Sequence, residues 1–345
     1  MLSDWFTPPG EKPAAVVAHD GRLQTGHFDR PPQQLNFRDA RLLARRTLLP
    51  RLVEWYGVGM AHPDWYFAVI VVQAERFSLM NLYGVDRHSR EMFSHDVIAT
   101  PRHARVAESP WGGETTFDRT GAWVRMRHDL AAHKHTVDVD LRAGKNRPAV
   151  RGQLVWHEDP TRSPALVALA PMGERRFIYN HKAQMPISGT LRVGNVDVTF
   201  APDRDLANLD EVRACLGVRN HYRWVNFSGF DDQARIIGLN ASDSRQRHAS
   251  WGSENAMWLG AKLSFVGEVE FDLDPHDLMR PWRIRDRACR IDVTFTPEGG
   301  KSVAVGPLGS YHQKCGTFSG VLRDERGAEH SVNRYVGCCE SVAVL

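Results

Sequence analysis

The stretch Trp251–Arg285, WGSENAMWLGAKLSFVGEVEFDLDPHDLMRPWRIR, decides how the rest of the chain is read. Leu263, Phe265, Val269, Phe271 and Leu273 are interleaved with Ser264, Glu268, Glu270 and Asp272. Alternation at period two marks a half-buried strand, and here it predicts one long strand. Trp251, Trp258 and Trp282 stand at its ends, together with Glu254, Asn255, Arg280 and Arg283. Rings that wall a space and a few charges that orient a guest suit the mouth or floor of a β-barrel pocket. The plainer reading puts the tryptophans in a core and the charges in pairs at the surface.

The same period recurs outward in both directions. Trp65–Val72, WYFAVIVV, is a short apolar run rich in β-branched and aromatic residues, and Phe77–Val85 reads as its hairpin partner. Ala122–Met126, Val137–Leu141, Gln153–Trp156 and Phe177–His181 are further strand candidates. Leu191–Phe200 holds Gly194-Asn195 between alternating apolar residues, a strong hairpin signal. Tyr222–Phe227, Arg235–Asn240 and Arg290–Thr296 continue the pattern. Thr317–Leu322 and Ser331–Val336 flank the turn Asp324–Gly327 and predict a last hairpin. Two stretches are expected to be helical. Ala40–Leu49, in an arginine-rich segment that Pro50 ends, predicts a short helix, and Leu206–Leu216 a turn of helix.

Many short strands with few helices mean a sandwich or a barrel. At 345 residues the chain is too long for one small barrel. The expected architecture is all-β, two antiparallel barrels in tandem after a short N-terminal arm or helix. The arm spans 1–35, the first barrel 36–184 and the second 185–345, with the division near Met185–Gly189.

Composition narrows the function classes. Apolar residues at 42% and charged residues at 25% allow a sizeable core without metal or disulfide. A formal net charge of +3, evenly spread, gives no footprint for nucleic acid. No apolar run is long enough to span a membrane, and MLSDWFTPPGEKP has no export-signal pattern. Five cysteines, an odd and unpatterned set, predict a reduced cytoplasmic protein.

Several constellations hold residue types that can carry chemistry. His128, His133 and His135 lie close in sequence, with Asp129 and Asp138, but AAHKH reads as an exposed turn and no metal site is expected. His157-Glu158-Asp159 is read in the same way. Cys338-Cys339 lack a linked base, and no cofactor motif is present. More coherent is the set that includes Lys182, Asp210, Trp224, Glu254, Asn255, Trp258, Trp282, Arg283, Tyr311, Gln313 and Glu340.

These segments also carry a resemblance. Tyr179-Asn180-His181-Lys182, Gly238-Leu239-Asn240, Glu254-Asn255, LMRPWRI at Leu278–Ile284, DVTFTP at Asp292–Pro297 and the YHQ-to-FSG stretch at Tyr311–Gly320 resemble the bacterial family called domain of unknown function 2804. The likeness runs from about Asp64 to the C-terminus and is strongest from Phe177 onward. VRACLG at Val212–Gly217 and ASDSRQRHAS at Ala241–Ser250 depart from the family pattern. That family is similar in architecture to hydroxyneurosporene synthase-like proteins (carotenoid hydratases) and to lipocalin-like pericyclases. The resemblance implies two lipocalin-like barrels.

The expected ligand is a small apolar or amphipathic molecule of lipid or isoprenoid type, held in an internal pocket. One expectation is a hydratase, cyclase or isomerase in which burial drives a carboxyl group toward neutrality, with Glu254 as first candidate and Asp210 as second. Lys182, Trp224, Asn255, Trp258, Trp282, Arg283, Tyr311 and Gln313 are the ligand-binding candidates. The alternative is a non-catalytic binding protein, and a weaker third reading is a carbohydrate-active enzyme. The seven residues Lys182, Trp224, Glu254, Asn255, Trp258, Arg283 and Gln313 are expected to share one cavity, mainly in the second barrel and open towards the first. If Glu254 meets Lys182 or Arg283, a paired network is favoured; if it is alone, an acid.

Overall fold

The computed structural model describes residues 10–43, 51–173, 176–217, 220–243, 254–304 and 309–344. Trp251 and most of the expected helix at Ala40–Leu49 lie outside them. Among the described residues the only helices are single 3-10 turns, Phe37–Asp39, Pro101–His103 and Leu130–Ala132. No helix is long and apolar enough to cross a membrane.

The strands fall into two antiparallel sheets. The first begins with β1 (Gly26–Phe28), β2 (Leu52–Ala61), β3 (Trp65–Ala74), β4 (Ser78–Asp86) and β5 (Met92–Ala99). It continues with β6 (Ala104–Arg105), β7 (Glu114–Arg119), β8 (Ala122–Asp129), β9 (Lys134–Leu141) and β10 (Val150–His157). Its last strands are β11 (Leu166–Pro171), β12 (Phe177–Lys182), β13 (Gln184–Val193), β14 (Val196–Phe200) and β15 (Leu206–Cys215). The main order is β5-β4-β3-β2-β15-β13-β10-β9-β8-β7-β6. The sheet curls until β6 lies against β3 and β4, so that it wraps its own core.

The second sheet comprises β16 (Asn220–Phe230), β17 (Ile236–Ser242), β18 (Ala256–Leu259), β19 (Leu263–Phe265) and β20 (Val269–Asp272). It is completed by β21 (Trp282–Asp286), β22 (Ile291–Ala304), β23 (Gly309–Arg323) and β24 (Glu329–Val344). The order is β19-β18-β17-β16-β24-β23-β22-β21-β20. These are two lipocalin-like barrels in tandem. The expected hairpins β3–β4, β13–β14 and β23–β24 are all present. Gly194 makes the β13–β14 turn with φ of 58°, a left-handed conformation that glycine takes without steric cost.

Two expectations are corrected. Leu206–Leu216 is not a turn of helix; Leu206–Cys215 is the strand β15 at the centre of the first sheet. Both of its faces are covered, one by the first core and one by the second barrel, so its sequence lacks the polar-apolar alternation that marks a half-exposed strand. The long strand expected across Leu263–Leu273 is broken into β19 and β20, with Val266 turned into the second core. The strand β2 was not anticipated, since Gly57 and Gly59 dilute its apolar pattern. Strands β13–β15 follow the division expected at residue 185, yet they pair with β2, β10 and β12 of the first sheet. The chain enters the second sheet only at Asn220.

Each barrel has its own apolar core. Phe37, Phe67, Phe117, Trp156 and Phe177 fill the first, and Phe227, Trp282, Phe295 and Phe318 fill the second. The N-terminal arm seals the first: Val16, Val17 and Leu35 are buried there, and Leu35 N donates to Glu108 O at 2.8 Å.

The first core also holds a chain of buried polar groups. His128 Nδ1 lies 3.1 Å from His135 Nδ1, and His135 Nε2 lies 2.8 Å from Glu158 Oε2. Glu158 Oε1 meets His181 Nε2 at 2.9 Å, and His181 Nδ1 meets Glu211 Oε2 at 2.8 Å. Arg213 then bridges Glu211 at 3.0 Å and Glu54 at 3.1 Å. His133 alone of the three nearby histidines sits in the exposed turn; His135 faces inward. Among the described residues no group of three or more His, Cys, Asp or Glu side chains is placed to hold a metal ion. Burial works against a charged His181, but Glu158 and Glu211 outweigh it and lift its pKa to about 10. Burial likewise opposes the Glu158 carboxylate, and His181 and His135 hold it well below the usual range. His128, desolvated beside His135, is driven the other way and stays neutral at pH 7.

The raised His181 pKa gives stability that is fully present below its unfolded value, about 6.5, and lost as pH rises through about 10. Glu158→Gln removes the charge that His181 needs. We expect a loss of about 3–5 kcal/mol in urea unfolding at neutral pH, with the alkaline limb of the stability curve moved to lower pH. A variant within about 1 kcal/mol of wild type would show that the pair contributes little.

Candidate functional site

Side chains on a strand point alternately to opposite faces. In the strands where the two barrels meet, one face feeds a core and the other a shared seam. On β12, Phe177, Tyr179 and His181 point into the first barrel, while Ile178, Asn180 and Lys182 face the seam. On β15, Leu209, Glu211 and Arg213 point inward and Asp210 and Val212 face the seam. From the second barrel, β16 sends Val225 and Phe227 to its core and Tyr222 and Trp224 to the seam. On β24, Cys339 is core and Glu340 is seam.

The seam encloses two adjoining chambers of about 100 and 60 Å³. Asp210, Trp224 and Glu340 line both. The larger chamber has apolar walls of Trp55, Met172, Ile178, Val212 and Leu216. Gly57 and Gly59 of β2 border the smaller one. A Cβ on Gly59 would lie 2.5 Å from the Tyr66 hydroxyl, so glycine there lets that ring pack across the strand.

Two polar groups meet at the seam. Lys182 Nζ is hydrogen-bonded to Asp210 Oδ1, pairs with Glu254 Oε2 at 3.3 Å and lies 5.7 Å from the centre of the Trp224 ring. Burial disfavours this ammonium, but the two carboxylates raise its pKa above the ordinary lysine value. Asp210 Oδ2 also accepts from Trp55 Nε1 at 3.1 Å. The second group centres on Glu340. Its Oε1 accepts from Tyr311 OH and from Gln313 Nε2, both at 2.7 Å, and its Oε2 from Tyr222 OH at 3.2 Å. Tyr83 OH of the first barrel donates to Gln313 Oε1 at 2.6 Å and fixes that amide's orientation. Burial pushes the Glu340 carboxyl up; the Tyr311 hydrogen bond opposes this and the Asp210 charge adds to it, and the balance is about 7. Tyr222 and Tyr311, buried beside Glu340, are pushed well above the ordinary phenol value and remain donors.

Of the residues singled out from sequence, Lys182, Asp210, Trp224, Glu254, Tyr311 and Gln313 line the seam. The other four do not. Asn255 is buried as a backbone brace, accepting from Ser242 N at 2.8 Å and donating to Gly267 O at 3.0 Å. Trp258 packs with Leu166 and Ala168 of β11, and its Nε1 donates to Pro164 O at 2.7 Å. Trp282 is in the second core against Phe295. Arg283 is half exposed on β21 and pairs with Asp292 at 3.1 Å. The single cavity expected mainly in the second barrel and open towards the first lies instead at the seam, lined from both barrels, because each barrel interior is already filled. Cys338 borders the smaller chamber, but burial raises its thiol well above the ordinary value, which disfavours the nucleophilic thiolate.

Sequence reading set Glu340 beside Tyr311 and Gln313 without choosing it as the acid. The register of the last hairpin brings the three together. Counted back from Asp324–Gly327 through one bulge at Phe318/Ser319, Gln313 pairs directly with Glu340 and Tyr311 with Val342.

The structure is similar to the crystal structure of kievitone hydratase from Nectria haematococca, with a TM-score of 0.51, 9% identity, and coverage of 84% of this chain and 88% of that one. It is also similar to the crystal structure of CghA with Sch210972, with a TM-score of 0.61, 12% identity, and coverage of 99% and 97%. At such identities the likeness is one of fold. No curated protein matches the sequence. The pattern of the domain of unknown function 2804 family spans residues 10–344, further toward the N-terminus than the expected start near Asp64, and the protein belongs to that family.

Proposed function

We propose that the protein is an acid–base enzyme that takes a small, largely apolar molecule into the seam between its barrels. In this reading Glu340 moves a proton to or from a carbon or oxygen of that molecule. The reaction class is addition or elimination of water, cyclisation or isomerisation. The observation that carries the reading is the Glu340 carboxyl, enclosed by both chambers, oriented by three donors and poised near neutrality. A carboxyl with a pKa close to the working pH both gives and takes a proton readily.

The two carboxyls first suspected have a different part. Asp210 and Glu254 hold Lys182, and Asp210 adds to the electrostatic pressure on Glu340. They are positioning residues in this scheme. Because Lys182 already covers the Trp224 ring, an indole-stabilised carbocation is not part of the proposal. The pairing of Lys182 with Glu254 is the feature that favours the alternative, a non-catalytic binding protein. Kievitone hydratase, named for hydration, shares the fold and agrees with the catalytic reading without assigning a substrate.

Infrared difference spectroscopy tests the acid directly. A protonated carboxyl band should titrate near pH 7 and be absent from Glu340→Gln. With acyclic isoprenoid alkenes in heavy water, deuterium incorporation by wild type should fall by about 100-fold or more in that variant. Titration near the ordinary glutamate value, or equal incorporation by both proteins, would leave only the binding reading.

The same group has a stability signature. A carboxyl whose folded pKa is raised contributes stability fully below its unfolded pKa, and loses it as pH rises through about 7. Glu340→Gln should therefore gain in melting temperature relative to wild type between about pH 5 and about pH 8.

Lys182→Met tests the positioning role. It leaves Asp210 and Glu254 without their cation, so stability should fall by about 3–5 kcal/mol and the Glu340 band should titrate at higher pH. An unmoved band would detach Glu340 from the Lys182 group.

A further inference from the structure

Asn180 is fully buried on the seam face of β12, and it lines the larger chamber between Ile178 and Lys182. Neither its Nδ2 nor its Oδ1 has a hydrogen-bond partner among the described residues. A buried carboxamide left unpaired is costly, and native structures rarely retain one without a use. Its cross-strand neighbours offer nothing: Ala168 of β11 and Val212 of β15 are apolar. A free donor and a free acceptor therefore stand side by side in the chamber wall.

The charges around the chambers bear on what can fill that gap. Among the described lining residues Lys182 is the one cation, and it is committed to Asp210 and Glu254. The acidic residues that line the chambers are Asp210, Glu254 and Glu340. An anionic guest would enter a space where, among the described residues, carboxyl groups outnumber ammonium groups and the one ammonium is already paired. In a low-dielectric cavity that repulsion is strongly felt. Carboxylates, phosphates and diphosphates are disfavoured on this ground.

We propose that Asn180 is the specificity-determining residue of the seam, and that it recognises an uncharged ligand carrying an adjacent hydrogen-bond donor and acceptor, such as a carboxamide, a cis-amide or a hydroxy-ketone. This rests on the reading of the seam as the ligand site, and it adds the class of polar group that the ligand bears. Such a group satisfies both atoms of Asn180 at once, while the apolar part lies against Ile178, Val212 and Leu216. A ligand hydroxyl or ester alone fills only part of the gap.

Benzamide and benzoate, close to isosteric and differing in charge, test this in the full-length protein by tryptophan fluorescence and saturation-transfer NMR. Benzamide should bind at least tenfold more tightly than benzoate. In Asn180→Leu, benzamide affinity should fall by about tenfold. The ligand-free variant should melt at the same temperature as wild type or higher, because an unpaired polar group has been replaced by an apolar one of similar size. That last readout separates a ligand anchor from a structural residue held by buried water. The proposal is overturned if benzoate binds as well as benzamide, if neither binds, if Asn180→Leu keeps wild-type affinity, or if the variant melts several degrees lower or fails to fold. The benzamide-to-benzoate ratio in wild type does not depend on the variant. The infrared titration of Glu340 needs no ligand, so failure of the acid–base reading and failure of this one are told apart.

Discussion

Burial on both faces of β12 and β15, and of the Trp224–Ser228 and Gly337–Glu340 portions of β16 and β24, is the constraint on which the rest of this structure depends. A strand with one wet face can send its polar residues to solvent. These stretches cannot, so a polar side chain on them either finds a partner inside the protein or stays unpaired at a cost. The period of two then sorts them into two compartments. On β12 and β15 alone, His181, Glu211 and Arg213 go to the first core, and Asn180, Lys182 and Asp210 go to the seam.

The two compartments solve the same problem in different ways. In the first core, each link from His135 through Glu158 and His181 to Glu211 is made, and Arg213 and Glu54 extend the chain. Such a network orders a barrel interior but leaves little room for a guest. In the seam, Lys182 is matched by two carboxylates, Glu340 collects three donors, and Asn180 collects none. Single atoms of the first core, Tyr56 Oη, Trp156 Nε1 and Tyr179 Oη, also lack a hydrogen-bond partner among the described residues, but they stand in a filled interior, whereas Asn180 stands beside a chamber. Residual polarity beside apolar walls and open space is what a binding site requires.

The seam also explains how one carboxyl comes to be near neutrality while two neighbours serve a cation. Asp210 and Glu254 reach Lys182; Glu340, on the far side of the seam, receives only neutral donors. Neutral hydrogen bonds stabilise a carboxylate less than a full positive charge does, so burial and the Asp210 charge prevail at Glu340. The difference depends on which carboxyl reaches Lys182: Asp210 of the first barrel and Glu254 of the second both do, whereas Glu340, also of the second, meets only neutral donors.

The sequence by itself determined the architecture and its hairpins. The apolar run Trp65–Val72 with its partner Phe77–Val85, the turn at Gly194-Asn195 and the turn at Asp324–Gly327 are local signals, set by residue type and backbone freedom, and they needed no tertiary context. Of the seven residues it grouped in one cavity, Lys182, Trp224, Glu254 and Gln313 line the seam, and Asn255, Trp258 and Arg283 do not; all seven were grouped because polar and indole residues stand out in strands that otherwise read as apolar. Tertiary structure alone decided the rest. Trp258, Trp282 and Arg283 look alike in composition to the seam residues, yet strand register turns them to an inter-sheet contact, a core and the surface. Leu206–Cys215 reads as ambiguous until both of its faces are covered. The choice of Glu340 over Glu254 required knowing which carboxyl meets Lys182, and that depends on how β12 and β15 of one barrel stand against β24 of the other. Charge pairing across a seam is a long-range property, and no local pattern in the sequence encodes it.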